Sequence, residues 1–332
     1  MDRWITCECT LRKNIAAPAR QNLRVGVFDG ETMIDDGMRA ETDPARNTYV
    51  RGVVLLILGA IAFSSAGLFV RLIGRDAATI LFWRGLFTVL AVLAFLLWRH
   101  GKAETLRQFL GMGRPDLAVA LCQVASMACF ISSLQFTTVA NNSIIFGISP
   151  FLTAGLAWLM IRERPSVETM LLSLVALGGA LLVVGNTFML SRAGLAGDGL
   201  AVLMTLFVSV KTVLLRKHVG RSMIPANCFG AVLGSLGAAP FVADWTISLR
   251  ELVLFALFGF TQQGAGLILT TIGTPFVPAA HAALLLSLDL PLAPAWVWLL
   301  FGERPTAMGL IGGLIVLAAI LAHIVIERRR QT

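Results

Sequence analysis

The sequence predicts an all-α integral membrane protein: ten transmembrane helices in two inverted five-helix repeats. Three observations carry this expectation. Hydrophobic residues make up 57% of the 332 positions and charged residues only 14%, with a mean hydropathy of +0.80. A soluble domain carries about 25% charged residues, so too few charges remain to hydrate a globular surface. Many of the apolar runs reach about 20 residues, the length at which a helix crosses a hydrocarbon layer. The second observation is a repeat. Phe136–Ser166, FTTVANNSIIFGISPFLTAGLAWLMIRERPS, returns 140 residues later as Phe276–Thr306, FVPAAHAALLLSLDLPLAPAWVWLLFGERPT, with eight of 31 positions identical. Identities of Leu and Ala are cheap in such a chain. The shared ending is more specific: Trp158/Trp298, Leu159/Leu299, Glu163/Glu303, Arg164/Arg304 and Pro165/Pro305. The third is a bias of Lys and Arg between alternate loops.

Taken in order, residues 1–47 form a polar tail of mixed charge, expected to be disordered, with no apolar run of signal-peptide length. Translation starting at Met33 or Met38 is one expectation for it. The spans that follow are placed at 52–73, 78–98, 117–136, 140–161, 168–187, 197–216, 225–243, 250–271, 277–301 and 307–326. The connections are short and leave no room for a soluble catalytic domain. With the N-terminus inside, Lys and Arg number three in 39–51, four in 99–114, two in 162–164, three in 216–221 and three in 328–330, fifteen in all, against five in the outside loops. The positive-inside rule then puts both termini in the cytoplasm. The 140-residue repeat holds five spans, an odd number, so the second half is expected upside down relative to the first. The domain expectation is a tail, a first repeat over 50–187 and a second over 197–327. Inverted repeats of this kind are the architecture of many secondary transporters, with the substrate site at the midplane between halves.

Several function classes are excluded or disfavoured by what is missing. There is no GxxxxGK[ST] phosphate loop, so the chain is not expected to hydrolyse ATP, and neither HExxH nor GxSxG occurs. Cys7 and Cys9 make a lone CxC, and Cys122, Cys129 and Cys228 lie in apolar runs, so no disulfide framework, metal site or cofactor is expected. The net charge of +8 is accounted for by the basic cytoplasmic loops and does not point to nucleic acid.

The chain resembles the drug/metabolite transporter superfamily, specifically the EamA-type ten-helix transporters with two EamA repeats, over about 50–327. The residues that carry the resemblance are FWRGL with Arg84 in span two, SPFLTAGLAWL with Pro150 in span four and the turn acid Glu163. In the second half they are GDGLAVLMTLFVSVKTVLLRK in span six and DLPLAPAWVWLLFGERPT from span nine. The glycine usual before the turn acid is Gly302 in the second half but Arg162 in the first. The acid usual directly before proline in span nine is here Asp289, separated from Pro291 by Leu290. The resemblance implies that spans one, three, four, six, eight and nine surround the central pathway.

The candidate pathway residues are the polar groups that a bilayer disfavours. Asp289 is the only carboxylate well inside a span. It is read either as a structural acid paired to a neighbouring helix or as a proton-binding or cation-binding group. His281 lies eight residues earlier, about 12 Å along the same helix face; it is a satisfied helix-end histidine or a relay partner for Asp289. Arg84 and Lys211 either snorkel to the surface or face the interior as anion ligands, with Arg84 also a possible counter-ion for Asp289. Lys211 aligns with Ser64 and Ser65 of the first half. Gln123, Asn141, Asn142, Gln262 and Gln263 add uncharged hydrogen-bonding groups that can equally serve helix packing. Pro150 and Pro291 are expected to kink spans four and nine. The function expected is a secondary transporter, with export the expected direction, moving a small organic metabolite or drug-like solute across the inner membrane. A receptor or scaffold and an intramembrane enzyme are the alternatives. The expected partners are a small-molecule substrate and membrane lipid, with proton coupling and a homodimer left open.

Overall fold

The computed structural model describes residues 44–136, 142, 145–184, 192–302 and 307–330. All regular elements among them are helical. The N-terminal tail, Asn141 and the Glu303–Thr306 turn lie outside the described residues. Seven helices are long and apolar enough to span a bilayer: α1 (Asn47–Ile73), α2 (Ala77–Leu110), α6 (Leu195–Lys217), α7 (Ile224–Phe241), α8 (Leu249–Phe276), α9 (Ala279–Phe301) and α10 (Ala307–Glu327). With α3 (Arg114–Phe136) and the shorter apolar α4 (Ser149–Ile161) and α5 (Val167–Val184), ten such helices lie among the described residues. Helices are the natural solution because hydrocarbon offers the backbone no hydrogen-bond partner. Side chains such as Trp98, Leu159, Leu171, Leu299 and Leu314 stand exposed on the outside of the bundle, as lipid-facing residues do. α2 runs on to Leu110, well past the expected end at 98. Gly101, at φ 74°, breaks it there, and the chain continues as a second helical piece.

The packing obeys an exchange rule. The most extensive helix packings are α3 on α6, α5 on α10, α2 on α7, α3 on α7, α1 on α8, α2 on α8, α4 on α6, α4 on α9 and α1 on α9. Replace each helix by the one five places along, and α3–α6 becomes α8–α1, α3–α7 becomes α8–α2, and α4–α6 becomes α9–α1. The pairs α2–α7, α4–α9 and α5–α10 map onto themselves. The two five-helix halves are therefore related by a pseudo-two-fold. Apolar helices have no solvent-driven reason to associate inside lipid, so close backbone approach matters. A Cβ on Gly179 of α5 would sit 2.7 Å from Gly312 O of α10.

The same exchange relates details within helices. α9 is broken at Ser287–Leu288, where Leu288 N donates to Leu285 O at 3.2 Å. The chain is likewise broken at Gly147–Ile148, 140 positions earlier, where Ile148 N donates to Ile145 O at 3.1 Å. Both breaks fall just before the expected prolines, Pro150 and Pro291. A proline has no N–H for the carbonyl four residues back and crowds it, so the chain turns ahead of the ring. Arg162 ends α4 at φ 58° and Gly302 ends α9 at φ 69°, both left-handed.

Ion pairs clamp two equivalent loops. Arg75, between α1 and α2, donates through Nε to Glu251 Oε1 (2.6 Å) in the first turn of α8, through Nη1 to Asp244 Oδ2 (3.1 Å) and through Nη2 to Thr246 O (3.0 Å). Arg221, between α6 and α7, donates through Nη2 to Asp116 Oδ2 in the first turn of α3 and to Gly111 O (2.8 Å). Since α8 is the counterpart of α3, one clamp is the image of the other. A third pair, Arg216 with Glu163 at 3.5 Å, ties α6 to the turn after α4.

Two expected outcomes follow. Arg162 is the one non-glycine residue at positive φ among the described residues, where a Cβ costs on the order of 1–2 kcal/mol. Arg162→Gly should raise the melting temperature in detergent by an amount equivalent to about 1 kcal/mol, and Gly302→Ala should lower it by a similar amount. Asp244 is held near 2, below its ordinary 3.8, chiefly by hydrogen bonds from the Thr246 backbone and hydroxyl and then by Arg75. A carboxylate depressed in the folded state contributes stability above its unfolded value and loses it as pH falls through the folded one. Melting temperature should therefore decline between about pH 3.8 and about pH 2, and Thr246→Val should make the decline shallower.

Candidate functional site

The interior polar residues form two groups. The first lies where α2, α3, α6, α7 and α8 meet. Lys211 Nζ on α6 donates to Gln123 Oε1 on α3 at 2.7 Å. Gln123 also lines a water-sized cavity, about 20 Å³, together with Arg84 and Thr88 of α2, Gln263 of α8 and Ser235 of α7. Arg84 is only 6% exposed; Nη2 donates to Met127 Sδ at 3.2 Å and the guanidinium lies 5.2 Å from the Phe258 ring centroid. Snorkelling, one of the readings for both cations, is thus not what they do: both turn inward. Gln262 and Gln263 sit within a π-helical stretch, Phe258–Ala265. One wider turn in an α-helix re-aims side chains, and such turns gather at functional sites.

The second group lies along α1 and α9. Trp296 Nε1 on α9 donates to Ser64 Oγ on α1 at 2.8 Å, while Ser64 donates onward to Ile61 O at 2.7 Å. Ser65 donates to Ala62 O at 2.8 Å and interrupts α1. Gln262 Nε2 reaches Phe63 O at 3.4 Å, beside that interruption. Asp289 opens the second segment of α9, and its Oδ1 is buried with no hydrogen-bond partner. Asn142 is buried, and its Oδ1 is likewise without a partner.

His281 does not share a continuous helix face with Asp289, because the Ser287–Leu288 break lies between them. Its Nε2 is 3.0 Å from Thr169 Oγ1 on α5, and its ring meets His323 of α10 edge-on at 4.4 Å. Thr169 in turn shares a 2.7 Å hydrogen bond with Ser166. These residues adjoin a cavity of about 180 Å³ lined by Glu163, Arg164, Pro165, Ser166, His281 and Glu327 among others. Thr169, Ser166, His323, Met127 and Trp296 were not among the sequence candidates. For Trp296 a signal existed, since a buried indole N–H seeks a partner. For Thr169 and His323 none did, because their meeting with His281 is purely tertiary. No cluster of three or more His, Cys, Asp or Glu suited to a metal occurs among the described residues.

Comparison with known proteins settles the class. The model of the EamA-like transporter family matches residues 50–185. An uncharacterized transporter of Archaeoglobus fulgidus is 27% identical over 81% of this chain and 95% of its own length. The pseudopaline exporter CntI of Pseudomonas aeruginosa is 26% identical over 82% of this chain and 95% of its own. The family match and the transporter-named relatives together support an EamA-type transporter of the drug/metabolite superfamily. The drug/metabolite transporter resemblance read from Arg84, Pro150, Glu163 and the span-nine motif is therefore correct, and the chain is a multi-pass membrane transporter and not an enzyme. Mouse solute carrier family 35 member G1 is 23% identical over 85% of this chain and 81% of its own. A solved structure, described only as the crystal structure of a protein, superposes with a TM-score of 0.73 at 17% identity, covering 85% of this chain and 99% of that one. At that identity it speaks for the fold alone, and it agrees with an all-α EamA bundle.

Proposed function

We propose that this EamA-family transporter is a secondary exporter of a small organic solute across the inner membrane, working by alternating access with both termini in the cytoplasm. The observation that carries the reading is the exchange symmetry of the helix packings. Two halves of one fold, inverted in the bilayer, can each adopt the other's conformation, which moves the opening from one face to the other around a fixed site. The moving units are the repeats over 50–187 and 197–327. The export direction draws support from the relative named as a pseudopaline exporter, and the basic loops favour the orientation.

The pathway in this reading runs between the two polar groups. Ser64, Ser65, Gln123, Asn142, Lys211, Gln262, Gln263 and Asp289 lie on or at the ends of the helices that the family places around its centre, and Arg84 joins them through the cavity it shares with Gln123 and Gln263. The breaks before Pro150 and Pro291 replace regular helical hydrogen bonds by tighter ones, such as Leu290 N to Ser287 O at 3.1 Å, and can serve as the points where the two halves flex. Asp289 carries the coupling proton. Its buried, unpartnered Oδ1 suits a group that exchanges a proton during the cycle.

Asp289→Asn keeps size and polarity and removes the charge. In proteoliposomes the variant should lose proton-gradient-driven accumulation yet retain substrate-for-substrate exchange. Loss of both activities would move Asp289 from coupling to direct contact with substrate. Unchanged accumulation per folded molecule would remove it from the pathway altogether.

A further inference from the structure

The structure assigns a carboxylate-binding subsite to the junction of Arg84, Gln123, Gln263 and Lys211, an inference that rests on the transporter reading above. The cavity there is lined by no acidic residue. Arg84 is buried, yet no carboxylate is among its partners. A thioether sulphur, a weak acceptor, and an aromatic face are what it has, and its Nε is buried with no hydrogen-bond partner at all. Lys211 has the amide oxygen of Gln123. Burying a cation without an anion is strongly unfavourable, and Asp289 does not relieve it, since none of the ion pairs among the described residues joins it to Arg84 or Lys211.

Gln123 adds a donor beside the guanidinium. Gln123 gives its oxygen to Lys211, which leaves its NH₂ to donate. Thr88 and Ser235, the hydroxyls on the cavity wall, commit their protons to Arg84 O at 2.8 Å and Ala231 O at 3.0 Å. Their oxygens can only accept, so the donors that face an incoming group are the Arg84 guanidinium and the free amide N–H of Gln123. An arginine fork matches the planar, two-oxygen edge of a carboxylate. The cavity is small: about 20 Å³, room for about one water. The π-helical turn at Phe258–Ala265 brings Gln263 to this wall. Gly230 brings α7 within 3.0 Å of Ala120 O and the Gln123 side chain, measured from the position its Cβ would take.

The test uses the purified full-length chain in detergent and matched probes: acetate, propionate and benzoate against acetamide, propionamide and benzamide, with sodium chloride as an inorganic-anion arm. The carboxylates should raise the melting temperature, while the amides and chloride should not. In Arg84→Gln the carboxylate shift should disappear, corresponding to binding weakened roughly tenfold or more. The melting temperature without ligand should stay equal to the parent's or rise, because an uncompensated buried charge has been removed. A structural arginine would behave oppositely, with Arg84→Gln less stable and the carboxylate shift retained. If Arg84→Gln fails to fold, Gln263→Leu on the cavity wall reads the carboxylate arm instead: loss of the shift supports the subsite, and a retained shift overturns it. An equal shift from chloride would make this an inorganic-anion site and overturn the carboxylate assignment, as would amides acting as well as their acids. Flux of amide or amine solutes with none of carboxylates would defeat the subsite while leaving the transporter reading intact; no flux of any solute class would defeat the transporter reading itself.

Discussion

Five is an odd number, and in a bilayer that parity decides the rest. A lipid core gives the backbone no hydrogen-bond partner, so each half of the chain must cross as complete helices. Five crossings return the chain on the opposite face, and a duplicated sequence must then fold the same way upside down. The exchange of α3–α6 for α8–α1, of α3–α7 for α8–α2 and of α4–α6 for α9–α1 is the packing consequence. The paired breaks at Gly147–Ile148 and Ser287–Leu288 and the paired left-handed helix ends at Arg162 and Gly302 are the local consequences.

Charge is handled differently at the faces and in the interior. At the loop ends, Arg75 and Arg221 each meet a carboxylate in the first turn of an equivalent helix, where the acid also suits the helix N-terminus. In the interior, Arg84 and Lys211 meet only neutral groups, and Asp289 Oδ1 meets none. A bundle built only for stability would pair these charges or dispense with them. Their persistence unpaired among well-packed apolar helices is the physical basis for placing the solute and the proton there.

Much of this was legible in the sequence. Long apolar runs and the WL-three-residue-ERP repeat are composition and pattern, which survive without any tertiary information, and the ten helices and the two halves follow from them. The left-handed end at Arg162 was visible as a departure, an arginine where Gly302 stands in the second half. What was not legible depends on direction and distance. Whether Arg84 and Lys211 snorkel or turn inward is set by Met127, Phe258 and Gln123 on other helices. The pairing of His281 with Thr169 and His323 arises because α5 and α10 pack together beside the start of α9. The shared face expected for His281 and Asp289 requires a straight helix, and the break ahead of Pro291 removes that register.

The inversion of the halves is the claim on which the mechanism stands, and equivalent loops test it most directly. The α2–α3 segment and the α7–α8 loop are counterparts, and Ala103 and Ala243 are exposed in them. On a background with the five native cysteines replaced, Ala103→Cys and Ala243→Cys would be probed singly in intact cells with a membrane-impermeant thiol reagent. The account predicts labelling at position 243 in intact cells and at position 103 only after permeabilisation. The reverse pattern would keep the inversion and flip the orientation. Labelling of both from the same face would contradict the inverted-repeat architecture and the alternating-access mechanism that rests on it.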